Sequence, residues 1–218
     1  MKNNDYILRY GNFNSISGSV SSDQHKLGFT SGGDLALGLY SGENFKVRAG
    51  FQYVHSIIPF SLTVSSQTIN FGTLNPGEPI SRTNRLKISN GSAFGFQITA
   101  IENHSPKTAD GNIIPDTTCD SGSCTQNTAA SWTGLLTYGF GYRCDDISGN
   151  SCSSDFTNVT YFKQFANKEL NEPAASVMSG TNVGRDIEGE ITYKINIPGT
   201  QPSGLYQNIV QYIATPTL

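Results

Sequence analysis

With 218 residues, the chain has room for one or two domains. Only 14% of its residues are charged, against a usual share of about 25%, and its net charge of −3 comes with no basic run, which argues against nucleic acid as a partner. No stretch approaches the roughly 18 apolar residues of a membrane-spanning helix, and residues 1–11 lack the apolar run of a signal peptide, so an export leader would be one already removed.

Twenty-three glycines, with abundant Ser, Thr and Asn, disfavour helices and suit short strands joined by turns. Residues 1–59 form a leading section. A strand is expected at 6–10, an irregular Ser/Gly/Asn-rich stretch at 12–24 and a second strand at 26–30. The cleanest alternation lies in 45–53. There Phe45, Val47, Ala49, Phe51 and Tyr53 share one face, and Lys46, Arg48 and Gln52 fall on the other. Pro59 ends any ladder. A section this short buries little, so it is expected to lie against the main sheet or against a neighbouring molecule.

Residues 60–101 read as four strands. Leu62 and Val64 share a face, as do Ile69 and Phe71, then Leu86 and Ile88, then Phe94, Phe96, Ile98 and Ala100. Asn75-Pro76-Gly77 and Asn90-Gly91 mark turns. Residues 102–134 are loop-rich. Alternation returns at 137–143, with Tyr138, Phe140 and Tyr142 on one face, and 156–165 is rich in aromatics. Residues 164–172 are the one helical-turn candidate. Ile191, Tyr193, Ile195 and Ile197 alternate in a confident strand. Residues 204–215 carry Leu205, Ile209 and Ile213 on one side and Tyr206, Val210 and Tyr212 on the other. Two apolar faces predict a central strand covered on both. The spacing predicts an all-β fold: an antiparallel two-sheet β-sandwich over 60–218, with an N-terminal β extension over 1–59.

Cys119 and Cys124 bracket a polar loop, as do Cys144 and Cys152. Two local disulfides are the simplest pairing, each restricting the unfolded chain by about 2–2.5 kcal/mol in the entropy model. A zinc site competes, but the spacing does not match common zinc modules. Disulfides imply an oxidising, extracellular compartment.

No catalytic signature is present: there is no GxSxG elbow, P-loop or GxGxxG, and His25, His55 and His104 fall in no metalloprotease spacing. Glu188 and Glu190 point the same way at a strand start. With Asp146 they are the weak hydrolase candidates, and a solvated strand end is the plainer reading. Asp145, Asp146 and Asn150 share the Cys144–Cys152 loop and offer oxygens that calcium could use, against a solvated loop. Trp132, the only tryptophan, either stacks on a sugar ring with help from Tyr138 and Tyr142 or plugs the interior beneath the loop region.

The segment from Ile69-Asn70-Phe71-Gly72 through Pro76-Gly77, followed by Arg85-Leu86-Lys87-Ile88-Ser89-Asn90, is similar to the opening of repeated β-domains in bacterial cell-surface proteins, among them WxL-type cell-wall-binding domains. Trp132-Thr133-Gly134-Leu135 and the last strand, from Gly204-Leu205-Tyr206 to Pro216, sit where that family carries its tryptophan region and closing strand. The chain has Trp-x-x-Leu once, in place of paired Trp-x-Leu motifs. The resemblance implies an Ig-like or WxL-like sandwich on a bacterial surface. The expected role is structural or adhesive, with copies of itself or cell-envelope components as partners, and a cell-wall glycan or peptidoglycan ligand as the alternative. Self-assembly has a physical route, in which residues 1–59 add a strand to the next subunit.

Overall fold

Two-residue periodicity becomes sheet wherever a strand finds a hydrogen-bonding neighbour. The computed structural model describes residues 16–21, 26–31, 38–41, 46–49, 58–92, 94–181 and 183–217. Among these, every regular element is a strand, no helix occurs, and all strand pairs are antiparallel.

The chain divides into two compact units, Met1–Ile57 and Ile58–Leu218. In the first, β1 (Ile16–Ser21) pairs with β2 (Lys26–Ser31), and β3 (Gly38–Ser41) with β4 (Lys46–Ala49). The strand expected at 6–10, both ends of the 45–53 alternation, His25 and His55 lie outside the described residues.

The second unit holds β5 (Ser61–Val64), β6 (Ile80–Asn90), β7 (Phe96–Glu102), β8 (Ala130–Ser131), β9 (Gly139–Ser148), β10 (Tyr161–Phe162), β11 (Ala175–Gly180), β12 (Gly184–Asn196) and β13 (Val210–Pro216). One sheet runs β5-β6-β12-β9 and another β11-β7-β13, with β8 and β10 paired separately. The sheets do not close into a barrel.

Side chains of the two larger sheets meet in one hydrophobic cluster. Leu86 and Ile88 of β6, Ile191 of β12, Ile98 of β7 and Val177 of β11 are all fully buried in it. Each such side chain contributes about 1.5–3 kcal/mol by leaving water. Phe165 stacks among Tyr142, Phe140 and Tyr193 at ring distances of 4.3, 5.5 and 6.0 Å. A second cluster gathers Trp132, Phe162 and the Cys119–Cys124 disulfide.

β9 runs between the clusters, so residues 139–144 are buried on both faces. Gly141 makes this possible: a Cβ there would stand 2.7 Å from the Lys163 carbonyl oxygen and 2.8 Å from Thr117 Cγ2. Gly95, with φ of +103°, brings β7 to β11 so closely that a Cβ would overlap the Gly180 carbonyl oxygen.

Four expectations need correction. Residues 12–24, expected to be irregular, hold β1, which pairs with β2 along its whole length. Ile69 and Phe71 lie in no strand. Asn70 Oδ1 accepts the Gly72 N–H at 2.8 Å in a local turn, while Arg82 Nε donates to the Asn70 carbonyl at 3.1 Å. Residues 164–172 form turns closed by the Leu170 and Asn171 N–H groups, with Asn171 at φ of +60°, and not a helix. Finally, β13 is an edge strand. Val210, Tyr212 and Ala214 pack against the main cluster, but on the opposite side Ile209 is 68% and Ile213 41% exposed, and Leu205, in the lead-in, is 75% exposed.

Candidate functional site: an open seam beside the last strand

The two larger sheets have four outer edges, and loops cover two of them. Along β9, the Tyr142 N–H donates to Lys163 O at 2.9 Å and the Lys163 N–H returns to Tyr142 O at 2.8 Å. Further along the same edge, the Phe140 N–H reaches Pro115 O and the Thr117 N–H reaches Phe140 O, both at 2.9 Å. Along β11, the Ser153 N–H donates to Val177 O at 3.0 Å and the Ser179 N–H to Ser151 O at 2.7 Å. Among the described residues, no backbone ladder of this kind covers β5 or β13.

Parity shows what β13 offers. The Asn103 N–H donates to Ile209 O at 2.9 Å and the Thr217 N–H to Gly95 O at 3.0 Å, so odd-numbered residues bond to β7. The peptide groups of Val210, Tyr212 and Ala214 therefore turn outward. Pro216 shares that parity but has no N–H, which ends the run. On β5 the Ser65 N–H donates to Arg85 O at 2.9 Å, so Leu62 and Val64 turn their peptide groups outward.

A cavity of about 360 Å³ lies between these two edges. Ile69 and Phe71 wall one side, Val210 and Tyr212 the other, and Phe140 and Tyr193 contribute from β9 and β12. The hydroxyls of Tyr193 and Tyr212 hydrogen-bond at 2.8 Å across the two sheets. Burial raises the Tyr193 pKa, against the pull of hydrogen bonds from Tyr212 and Asn84. Asn84, only 4% exposed, holds the rim. Its Oδ1 accepts from Ser65 Oγ at 2.5 Å and the Ser66 N–H at 3.0 Å, and its Nδ2 donates to Ser66 O at 2.8 Å. That grip ends β5 and turns the following segment along the cavity wall.

The residues singled out in the sequence lie elsewhere. Both disulfides form as paired, Cys119 with Cys124 and Cys144 with Cys152, and no described cysteine is free. They place the folded chain in an oxidising compartment.

Trp132 is 1% exposed. Its Nε1 donates to Thr137 O at 3.0 Å, Phe162 meets it edge-on at 5.5 Å, and Lys194 Nζ sits 4.6 Å over its ring. A buried indole gives a sugar no face to stack on. Tyr142 is likewise fully buried and Tyr138 half-buried, so the three make no exposed aromatic platform.

Asp145 is paired with Arg143, through Nε at 2.7 Å and also through Nη2. Asp146 Oδ1 accepts the Ser151 and Cys152 N–H groups at 2.8 and 2.9 Å, closing its own loop, while Asn150 is exposed. Asp145 and one oxygen of Asp146 are thus engaged locally, and no group of three or more His, Cys, Asp or Glu that could hold a metal ion is found among the described residues. Glu188 and Glu190 flank Arg85 at 3.5 and 3.4 Å across the β6–β12 pair. His104 Nδ1 lies 2.8 Å from Ser105 O.

The sequence reading missed a buried acid pair. Glu102 is fully buried at the end of β7. It accepts Asn208 Nδ2 at 2.7 Å and Asn167 Nδ2 at 3.3 Å. Asp116 lies within hydrogen-bonding reach of it. Burial first, and Asp116 second, push the Glu102 carboxyl up to about 9. Burial pushes Asp116 to about 6. The signal was there: Glu102 continues the inward parity of Phe96, Ile98 and Ala100.

Compared with known protein families, with curated proteins and with solved structures, the chain finds no match.

Proposed function

We propose that this is an extracellular structural protein whose second unit, an Ig-like two-sheet sandwich, takes up a strand from a neighbouring copy along the open edge of β13. One observation carries the reading. An edge strand with outward peptide groups at Val210, Tyr212 and Ala214 borders an apolar cavity and also bears the exposed Ile209 and Ile213. Soluble proteins blunt such edges with charge, proline or cover, because a bare edge is a template for another strand. Among the described residues of β13, only Pro216, at the far end, does so. An incoming strand gains main-chain hydrogen bonds from the edge and buries alternate side chains in the cavity. The shared hydrophobic cluster supports the sandwich, and the two disulfides support export. The leading section, residues 1–59, is the proposed donor, and the bacterial cell surface is the proposed setting.

The glycan-binding alternative draws on Trp132, on Tyr138 and Tyr142, and on the resemblance to cell-wall-binding domains; Trp132 and Tyr142 are buried, which favours the structural reading. Sedimentation and electron microscopy of the full chain test the proposal. Concentration-dependent association that is lost on deleting residues 1–55 supports it. A full chain that stays monomeric, or assembly that survives the deletion, overturns it.

A further inference from the structure

We propose that Glu102 and Asp116 hold one proton between them, and that this proton keeps the lead-in to β13 closed.

The geometry requires a donor at this point. Asp116 Oδ1 is buried without a hydrogen-bond partner, and beside the Ser105 hydroxyl, which supports Asp116, the neighbouring group is the Glu102 carboxyl. Two bare carboxylates in contact repel in a site of low dielectric. A proton on Glu102 turns the contact into an O–H···O⁻ hydrogen bond and gives the orphaned oxygen its partner. The amide donors stay compatible with this state, since Glu102 still accepts from Asn208 Nδ2 and Asn167 Nδ2.

The surrounding charges do not replace the proton. Glu172 adds negative charge to both members of the pair. Lys107 is committed to Glu169 at 3.1 Å, and Lys168 exposes its side chain. His104 directs its ring nitrogen to Ser105 O.

The pair is also placed to control a strand. Asn208, held by Glu102, is the residue before Ile209, whose N–H donates to Asn103 Oδ1 at 2.7 Å. Loss of the proton drives the carboxylates apart and loosens the amide bridge that fixes the start of β13. The inference shares the start of β13 with the strand-addition reading but is tested within a single chain, so either can fail without the other.

Both pair members have raised folded-state pKa values. Their stabilisation is therefore complete below the ordinary carboxylate range and is lost as pH rises toward about 9. Above the ordinary carboxylate range the folded pair thus keeps a proton that the open chain has lost. The opening equilibrium should then rise about tenfold per pH unit.

The experiment is amide hydrogen exchange across residues 207–214 of the full chain, corrected for base catalysis, in the wild type and in Glu102→Gln. Glutamine keeps a donor toward Asp116 through Nε2 and an acceptor for Asn208 through Oε1, and gives up the longer 3.3 Å bond from Asn167. A steep pH dependence in the wild type, absent in E102Q, is the expected result. The same slope in both, or none in the wild type, overturns the proposal. Carboxyl carbon shifts of ¹³C-labelled wild type read the proton without any variant. One buried carboxyl must remain protonated at neutral pH, and complete ionisation of both in the ordinary carboxylate range overturns the proposal.

Discussion

Ala214→Pro separates the outer edge of β13 from its inner one. Residue 214 shares the parity of Pro216, so its N–H turns away from β7. A proline there leaves the β7 ladder whole and projects its ring where an incoming strand would sit. Proline is tolerated at such edge positions, so the variant should melt within about 1 kcal/mol of the wild type. Docking loses one main-chain hydrogen bond, worth about 0.5–1.5 kcal/mol, and meets a steric block as well. Association should weaken at least about tenfold, a difference of about 1.4 kcal/mol. Ile213→Pro is the contrast. Its N–H has the inward parity, so the loss falls on folding and should cost about 1–3 kcal/mol. Sedimentation velocity reads association and thermal melting reads the fold. If A214P associates as the wild type does while melting normally, the edge is not where copies meet.

Asp120 accepts from the Thr133 N–H and hydroxyl, the Gly134 N–H and the Thr137 hydroxyl. Burial, the largest single effect, raises its pKa, but these bonds together outweigh it and hold the carboxyl at about 2. A depressed pKa contributes stability above the unfolded value that is lost as pH falls toward 2, so Asp120→Asn should flatten the acid limb of a melting-temperature profile. Trp132 should emit at short wavelength and resist aqueous quenchers, with no change on adding cell-wall glycan. Trp132→Ala should cost about 3–5 kcal/mol in denaturant unfolding. Reducing both disulfides should lower stability by about 2–2.5 kcal/mol for each loop, read as a shift in denaturant midpoint.

The strands most legible in the sequence were those whose alternation continues for several residues beside a real neighbour. Residues 191–197, for example, fall largely in β12, which pairs on both sides. Ile69 and Phe71 alternate equally well, but Arg82 and the Asn70 side chain take up local backbone groups, so periodicity alone made no strand there. At β13 the sequence carries two apolar faces, one packed on the main cluster and one exposed, and the pattern does not show that the strand lies at an edge. Periodicity reports that a face wants cover, not whether the same chain supplies it. The acid pair was invisible for another reason. Glu102 and Asp116 are separated by a loop, and a carboxyl at an inward position reads as an exception until its partner is known.

The loops over β9 and β11 decide more than the neatness of those margins. With those margins closed to further strands, the edges left open among the described residues are β5 and β13. A joint made there uses different surfaces on the two molecules, so it need not close on itself. Repeated from copy to copy, it would give a thread with distinguishable ends, lengthening at one of them.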